Sequence, residues 1–250
     1  MSPSRLRSWD GWMADNGLTA LLIFTLAYLF VVAALGNFNF GVLAGRLLFS
    51  FIIVAGVLAT FSHLWLRFLV ILLAVASFAF VWLEHIYHYR SLTLLNAIFG
   101  LFFLILLLAI LIVRVFQKGE VTPDRIRGAI VVYLLIGGMW DFFYFLIALI
   151  KPDSFNWPQG LVVGDLQAIQ QTLTYFSFIT LTTTGYGDIT PAIPLTRTLA
   201  MFEALAGQLY LVITLTRLVS LAVICPQGAD PPSLGTARNG VKNLDSVQKN

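Results

Sequence analysis

The residues best placed to do chemistry lie together at Thr182-Thr183-Thr184-Gly185-Tyr186-Gly187-Asp188. They offer no nucleophile with a base beside it. They offer backbone oxygen. A cation that enters a pore must shed its water shell, and other oxygens at similar distances must replace it. The carbonyls of an extended strand can do so if all point to one axis. Ordinary residues turn successive carbonyls to opposite sides, whereas glycine accepts backbone angles closed to other residues. Gly185 and Gly187 are spaced for that task, with Tyr186 between them packing away from the axis. Thr183 adds both a carbonyl and a hydroxyl at the inner mouth. The expected cation ligands are therefore Thr183, Thr184, Gly185 and Tyr186. A ring needs four such strands and one chain supplies one, so the spacing predicts a homotetramer.

Such a loop has to be held at membrane depth, and the rest of the chain is built to do that. Of 250 residues, 59% are hydrophobic and 11% charged, against roughly a quarter charged in soluble domains. The apolar residues come in blocks about as long as a bilayer crossing. Spans are predicted at Leu18–Leu35, Leu43–Phe61, Leu66–Leu83, Ser91–Val113, Gly128–Ile150 and Thr196–Ile224. Between the last two, Lys151 to Gly164 carries Pro152, Pro158, Gly160 and Gly164 and reads as a loop. Asp165 is placed to cap a short helix from Leu166 to about Leu181. That helix is too short to cross. With the glycine loop behind it, it makes a re-entrant hairpin, which is tolerated only where it is buried in protein or lines water. The fold expected is all-α and membrane-embedded: six transmembrane helices, a re-entrant pore helix and a filter loop.

Orientation follows from lysine and arginine. With the N-terminus inside and six crossings, eleven basic residues lie inside, among them Arg5, Arg7, Arg67, Arg114, Lys118, Arg125, Arg127 and Arg217. Four lie outside: Arg46, Arg90, Lys151 and Arg197. Both termini are then cytoplasmic. The expected organisation is an N-terminal segment 1–17, a four-helix bundle 18–115, a basic linker 116–127, a pore domain 128–224 and a disordered cytoplasmic tail 225–250. The start of the chain reads as a retained first helix anchored by Trp9 and Trp12, not as a cleaved leader.

The segment Thr182–Asp188 resembles the potassium-channel signature, TVGYG followed by Asp. The similarity extends further. Tyr175-Phe176-Ser177-Phe178 resembles the aromatic pore helix of bacterial potassium channels, and Leu199 to Leu211 resembles their inner helix. Gly207 falls 22 residues after Gly185, where that family has its hinge glycine. The resemblance covers about Gly128 to Ile224; for the first four spans only the layout is similar. It implies a passive K+-selective channel in the plasma membrane, with K+ as the permeant ion and no organic cofactor, and no reaction catalysed. Thr182 and Asp188 would support the filter; Glu203, at the outer end of the sixth span, either braces it from behind or has a merely structural role. One departure is Thr184 where the family has valine, which leaves a hydroxyl needing a partner. Another is Ile179, where some relatives carry an acid that pairs with the aspartate after the filter.

The fourth span, Ser91 to Val113, holds no basic residue, so strong voltage dependence is not expected. Gln208 is placed to face the cavity below the filter. Leu211, Leu215 and Val219, spaced by four, either line the inner pore or pack on the fifth span. Asp141, inside the fifth span, is a candidate partner of the pore helix or a pH-responsive acid. Glu84, His85 and His88 sit together in an outer turn, where a histidine pair at i and i+3 can bind a metal; with no further ligand in the sequence they are read as a wet interfacial cluster, and His63 as interfacial. The basic stretch from Arg114 to Arg127 either attracts anionic lipid head groups or only obeys the orientation rule. Cys225 forms no intrachain disulfide, being the single cysteine, and is an inert thiol or a lipidation site. No phosphate loop, metal cluster or nucleic-acid-binding pattern is visible. Two alternatives stand beside the potassium-selective reading: a non-selective cation channel, and a non-conducting scaffold or transporter.

Overall fold

An apolar run that must satisfy its backbone within its own segment, away from water, does so as a helix. A computed structural model describes residues 3–36, 38–59, 64–87, 89–117, 122–162 and 164–224. His63, His88, Lys118 and the segment from Cys225 onward lie outside the described residues, as do the side chains of Trp9 and Trp12. The helices are α1 (Pro3–Leu35), α2 (Asn39–Ala59), α3 (Leu64–Tyr87), α4 (Arg90–Val115), α5 (Pro123–Ile150), α6 (Leu166–Leu181) and α7 (Pro194–Ile224). All but α6 are long and apolar enough to cross a membrane. The chain is an all-α, multi-pass membrane protein.

The helices exceed the expected spans mainly at their ends, where polar residues continue an apolar helix. For α5 the cause is local. Thr122 accepts a hydrogen bond from the Arg125 amide, Pro123 occupies the first turn and Asp124 follows it, all favourable at a helix start. Asp165 caps α6 as expected: its Oδ1 accepts from the amides of Gln167 and Ala168, each at 3.1 Å.

Neighbouring helices pack in chain order, α1 on α2, α3 on α4, α4 on α5, and α6 lies between α5 and α7. Phe103, Leu107 and Leu111 of α4 are fully buried at the centre of the bundle. Arginines tie both ends. At the linker end, Arg114 Nη1 donates to the Ala59 carbonyl at 3.0 Å, and Arg217 donates to the Phe116 carbonyl while its guanidinium sits 5.1 Å from that ring centroid. At the opposite end, near the entry to α6, Arg90 donates to the Leu149 carbonyl and Gln167 Nε2 to the Gly36 carbonyl at 3.1 Å. The four-helix bundle is thus docked on α5 and α6 of its own chain.

The loops flanking α6 are clamped to each other. Strands β1 (Phe155–Asn156) and β2 (Thr190–Pro191) pair antiparallel, Phe155 opposite Pro191 and Asn156 opposite Thr190. The Ser154 carbonyl accepts from the Ala192 amide and from Thr196 Oγ1, both at 2.9 Å. The entry to α6 and the exit from the glycine loop are therefore fixed at one place.

One expectation is corrected. Glu84 and His85 are not in a wet turn, because α3 continues to Tyr87. That turns Glu84 inward, where it accepts from Asn96 Nδ2 at 2.6 Å and Thr93 Oγ1 at 3.3 Å and lies 4.0 Å from Arg46 Nη2. An acid placed away from water needs such partners, and α2 and α4 supply them.

Candidate functional site

The glycine loop grows directly out of the C-terminus of α6, whose last carbonyls need donors. Thr182 N bonds the Phe178 carbonyl at 3.1 Å, Thr183 N that of Thr180 at 2.9 Å, and Thr184 N that of Ile179 at 2.8 Å. The loop therefore starts in a fixed direction. From there φ is positive at Thr183 (57°), Gly185 (50°) and Gly187 (81°), and not at Thr184 or Tyr186. A backbone that changes hand at every residue keeps successive amides on one side and successive carbonyls on the other. The alternation of φ involves Thr183 as well as the two glycines that the sequence reading singled out. At Gly185 and Gly187 an added Cβ would meet nothing within 4 Å. Glycine is needed there for φ, not for space.

Thr183 is the one non-glycine residue with positive φ among those described. A β-branched residue in that region costs about 1–2 kcal/mol, so its surroundings must hold it. Its hydroxyl accepts from Gln208 Nε2 of α7 at 3.0 Å. The Thr184 hydroxyl finds its partner in Thr182 Oγ1 at 3.0 Å, which answers the departure from valine. Asp188 accepts from the Ile189 amide at 3.2 Å. Residues 182–188 are all exposed in the single chain. Tyr186 is 72% exposed, so its own chain does not give it the packing expected of it.

Behind the loop, Glu203 is fully buried. Its Oε2 accepts from the Tyr144 hydroxyl at 2.6 Å, and its Oε1 lies 2.5 Å from Ser177 Oγ. It joins α7 to α5 and α6, and Ser177 lies one turn before the end of α6 from which the glycine loop leaves. Asp141 Oδ2 accepts from Gln170 Nε2 at 3.1 Å and Thr174 Oγ1 at 3.0 Å, making Asp141 a partner of α6. Tyr144 also packs against Phe155 and Phe176, with ring centroids at 5.7 and 5.2 Å.

Gly207 is buried where α7 meets the end of α6, and an added Cβ would lie 2.2 Å from the Leu181 carbonyl oxygen. Helix α7 runs unbroken through it. Leu211, Leu215 and Val219 are 46%, 65% and 53% exposed, so they do not pack on α5. Tyr210 makes that contact: its hydroxyl donates to the Ala129 carbonyl at 2.8 Å and its ring stacks on Tyr133. The sequence reading missed Tyr144 and Gln170, and took Ser177 only as part of an aromatic pattern. The signal was present in two acids on apolar helices, each of which requires a donor somewhere.

Residues 171–223, from the second turn of α6 through the glycine loop and along α7, match the family model described as an ion channel. A search of curated proteins finds no match. The chain is therefore a multi-pass helical membrane protein whose loop-bearing segment is similar to that of ion channels.

Proposed function

We propose that this chain is one subunit of a homotetrameric potassium-selective channel of the plasma membrane, with both termini cytoplasmic and residues 183–187 forming the filter. The observation that carries this reading is the alternation of backbone hand at Thr183, Gly185 and Gly187, the pattern that a single row of carbonyls per chain requires. Four rows around an axis replace the water of a dehydrated K+ ion. The exposed loop, the exposed Tyr186 ring and the bare apolar face of α7 at Met201, Phe202, Leu205 and Leu209 are the surfaces that three further copies would cover. Gln208, Leu211, Leu215 and Val219 would line the inner pore, with Gly207 as the point about which α7 bends on opening.

Between Arg90 and Arg114, α4 carries no charge, so the pore is not driven by a sensor of the arginine-rich kind. At the linker end Arg114, Arg125, Gln117, Thr122 and Asp124 line a cavity of about 350 Å³. We assign anionic lipid head groups as its partner, in keeping with the orientation rule.

The test is flux from potassium-loaded liposomes, followed with a proton ionophore and a pH-sensitive dye. Uptake that follows a potassium gradient, is blocked by barium and fails with sodium supports the reading. Equal flux with sodium makes the pore non-selective. No flux, also after Leu215→Ala, leaves a non-conducting scaffold.

A further inference from the structure

A cavity of about 150 Å³ opens between the four-helix bundle and the first turns of α6, bounded among others by Gly45, Arg46 and Phe49 of α2, Glu84 of α3, Phe142 of α5 and Gln170 of α6. At position 45 α2 presents no side chain to this space. A Cβ there would meet only Val32 Cγ2, at 3.7 Å.

Its polar wall is unevenly used. Glu84 is served by the neutral donors Asn96 and Thr93. Arg46 has five N–H donors, of which Nη1 reaches the Val81 carbonyl at 3.2 Å and Nη2 lies 4.0 Å from Glu84. Its side chain remains 21% exposed, within a bundle wall. Gln170 has committed its Nε2 to Asp141, which leaves its Oε1 as an acceptor. The charges of Arg46 and Glu84 cancel, so an ion entering here would carry an uncompensated charge into a poorly solvated space. The complement is a neutral group that accepts from a guanidinium and donates to an amide oxygen. A carboxamide does both. The opposite wall is apolar, with Phe49 and Phe142 at 5.7 Å between ring centroids. A cavity of this volume holds a single benzene-sized ring.

We propose that this cavity is a binding site for small neutral carboxamides bearing one ring or a short alkyl body, with the carbonyl on Arg46. The site shares Gln170 with the Asp141–Thr174 contact, so an occupant touches the helix that carries the filter. The proposal does not rest on the channel reading, because binding is measured without flux.

The experiment is fluorine NMR on the full-length protein in detergent, with para-fluorobenzamide as probe and fluorobenzene as the matched ring lacking the amide. Para-fluorobenzamide is expected to bind with millimolar affinity or better, and fluorobenzene about tenfold more weakly, the effect of losing hydrogen bonds to a charged group. Gly45→Leu fills the space and is expected to abolish binding of both. Arg46→Lys keeps the charge but loses the planar fork, and is expected to weaken para-fluorobenzamide and leave fluorobenzene unchanged. Equal affinity of the two probes for the unaltered protein overturns the proposal. So does the absence of para-fluorobenzamide binding, or binding that survives in Gly45→Leu. If Gly45→Leu does not fold, the comparison of the two probes on the unaltered protein still decides.

Discussion

Gln208 on α7 donates from Nε2 to the hydroxyl of Thr183 at 3.0 Å, and Thr183 is the residue held in the left-handed region at the root of the glycine loop. The two are 25 positions apart in the chain, and Gly207 beside Gln208 is the point where α7 touches the end of α6. The close approach of the helices and the unusual backbone angle are thus one arrangement. The hydroxyl, held by Gln208, is presented at the inner mouth of the proposed filter.

Gln208→Leu removes that donor while keeping a side chain of similar size. The hydrogen bond is worth about 1 kcal/mol, comparable to the cost of the left-handed Thr183. The expected outcome is a folded protein that discriminates less between potassium and sodium, by about fivefold to tenfold. Liposome flux with each ion in turn measures this. Unchanged discrimination in Gln208→Leu means that Gln208 does not set the filter.

The Glu203 network is one hydrogen short as drawn with a carboxylate. Ser177 has a single hydroxyl hydrogen, yet its Oγ lies 2.8 Å from the Gly137 carbonyl and 2.5 Å from Glu203 Oε1. Both contacts are satisfied if Ser177 donates to Gly137 and the hydrogen on the other contact belongs to Glu203. Glu203→Gln supplies that hydrogen from its amide and keeps an oxygen for Tyr144. It is expected to melt within a few degrees of the unaltered protein. Glu203→Ala leaves the Tyr144 hydroxyl without its acceptor and is expected to cost about 2–4 kcal/mol, the combined penalty of an unpaired buried group and a cavity. Thermal unfolding in detergent compares the two; a Gln variant as unstable as the Ala variant would show that the carboxylate form is the one required.

The parts of this arrangement that are local in sequence were legible in it. Helix α6 could be bounded at Leu166 and Leu181 because Asp165 caps it and the glycine loop ends it. The spans were legible because each apolar run is about as long as a bilayer crossing and holds few charges. Contacts between helices were not. Nothing in the run Trp82 to Tyr87 says that Glu84 turns toward Arg46, since that depends on the rotation of α3 against α2. Glu203 was legible as an acid in need of a partner, but Tyr144 and Ser177 are 59 and 26 residues away. The positive φ of Thr183 was hidden because threonine is not a residue from which that angle is inferred.

Thr184→Val tests whether the hydroxyl inside the loop matters. Thr182 Oγ1 keeps its bond to the Phe178 carbonyl at 2.7 Å when Thr184 Oγ1 is gone. No buried group is therefore orphaned, and stability is expected to change by less than about 1 kcal/mol. Because the carbonyl of residue 184 is retained, potassium flux and its discrimination against sodium are expected to persist in the valine variant. A selective pore that becomes more selective with valine would assign the hydroxyl a cost in the unaltered protein, readable as a change in the sodium-to-potassium flux ratio.

Gly207→Ala separates two roles for the same glycine. If the residue serves only as a bending point, alanine in a helix interior is favourable by about 1 kcal/mol, and the protein should melt higher. The geometry opposes this. The added methyl would stand 2.2 Å from the Leu181 carbonyl oxygen and 3.0 Å from its Cδ1, and the oxygen belongs to the last turn of α6 and cannot swing aside as a side chain does. Relief requires α7 to move off α6, which stretches the Gln208–Thr183 bond next to it. The expected outcome is a loss of about 1–3 kcal/mol, the usual cost of overpacking, together with poorer discrimination between potassium and sodium. Thermal unfolding and ion-substitution flux on the same preparation decide: a variant that melts higher and keeps its selectivity assigns Gly207 to bending alone, and one that loses both assigns it to the seat of the filter.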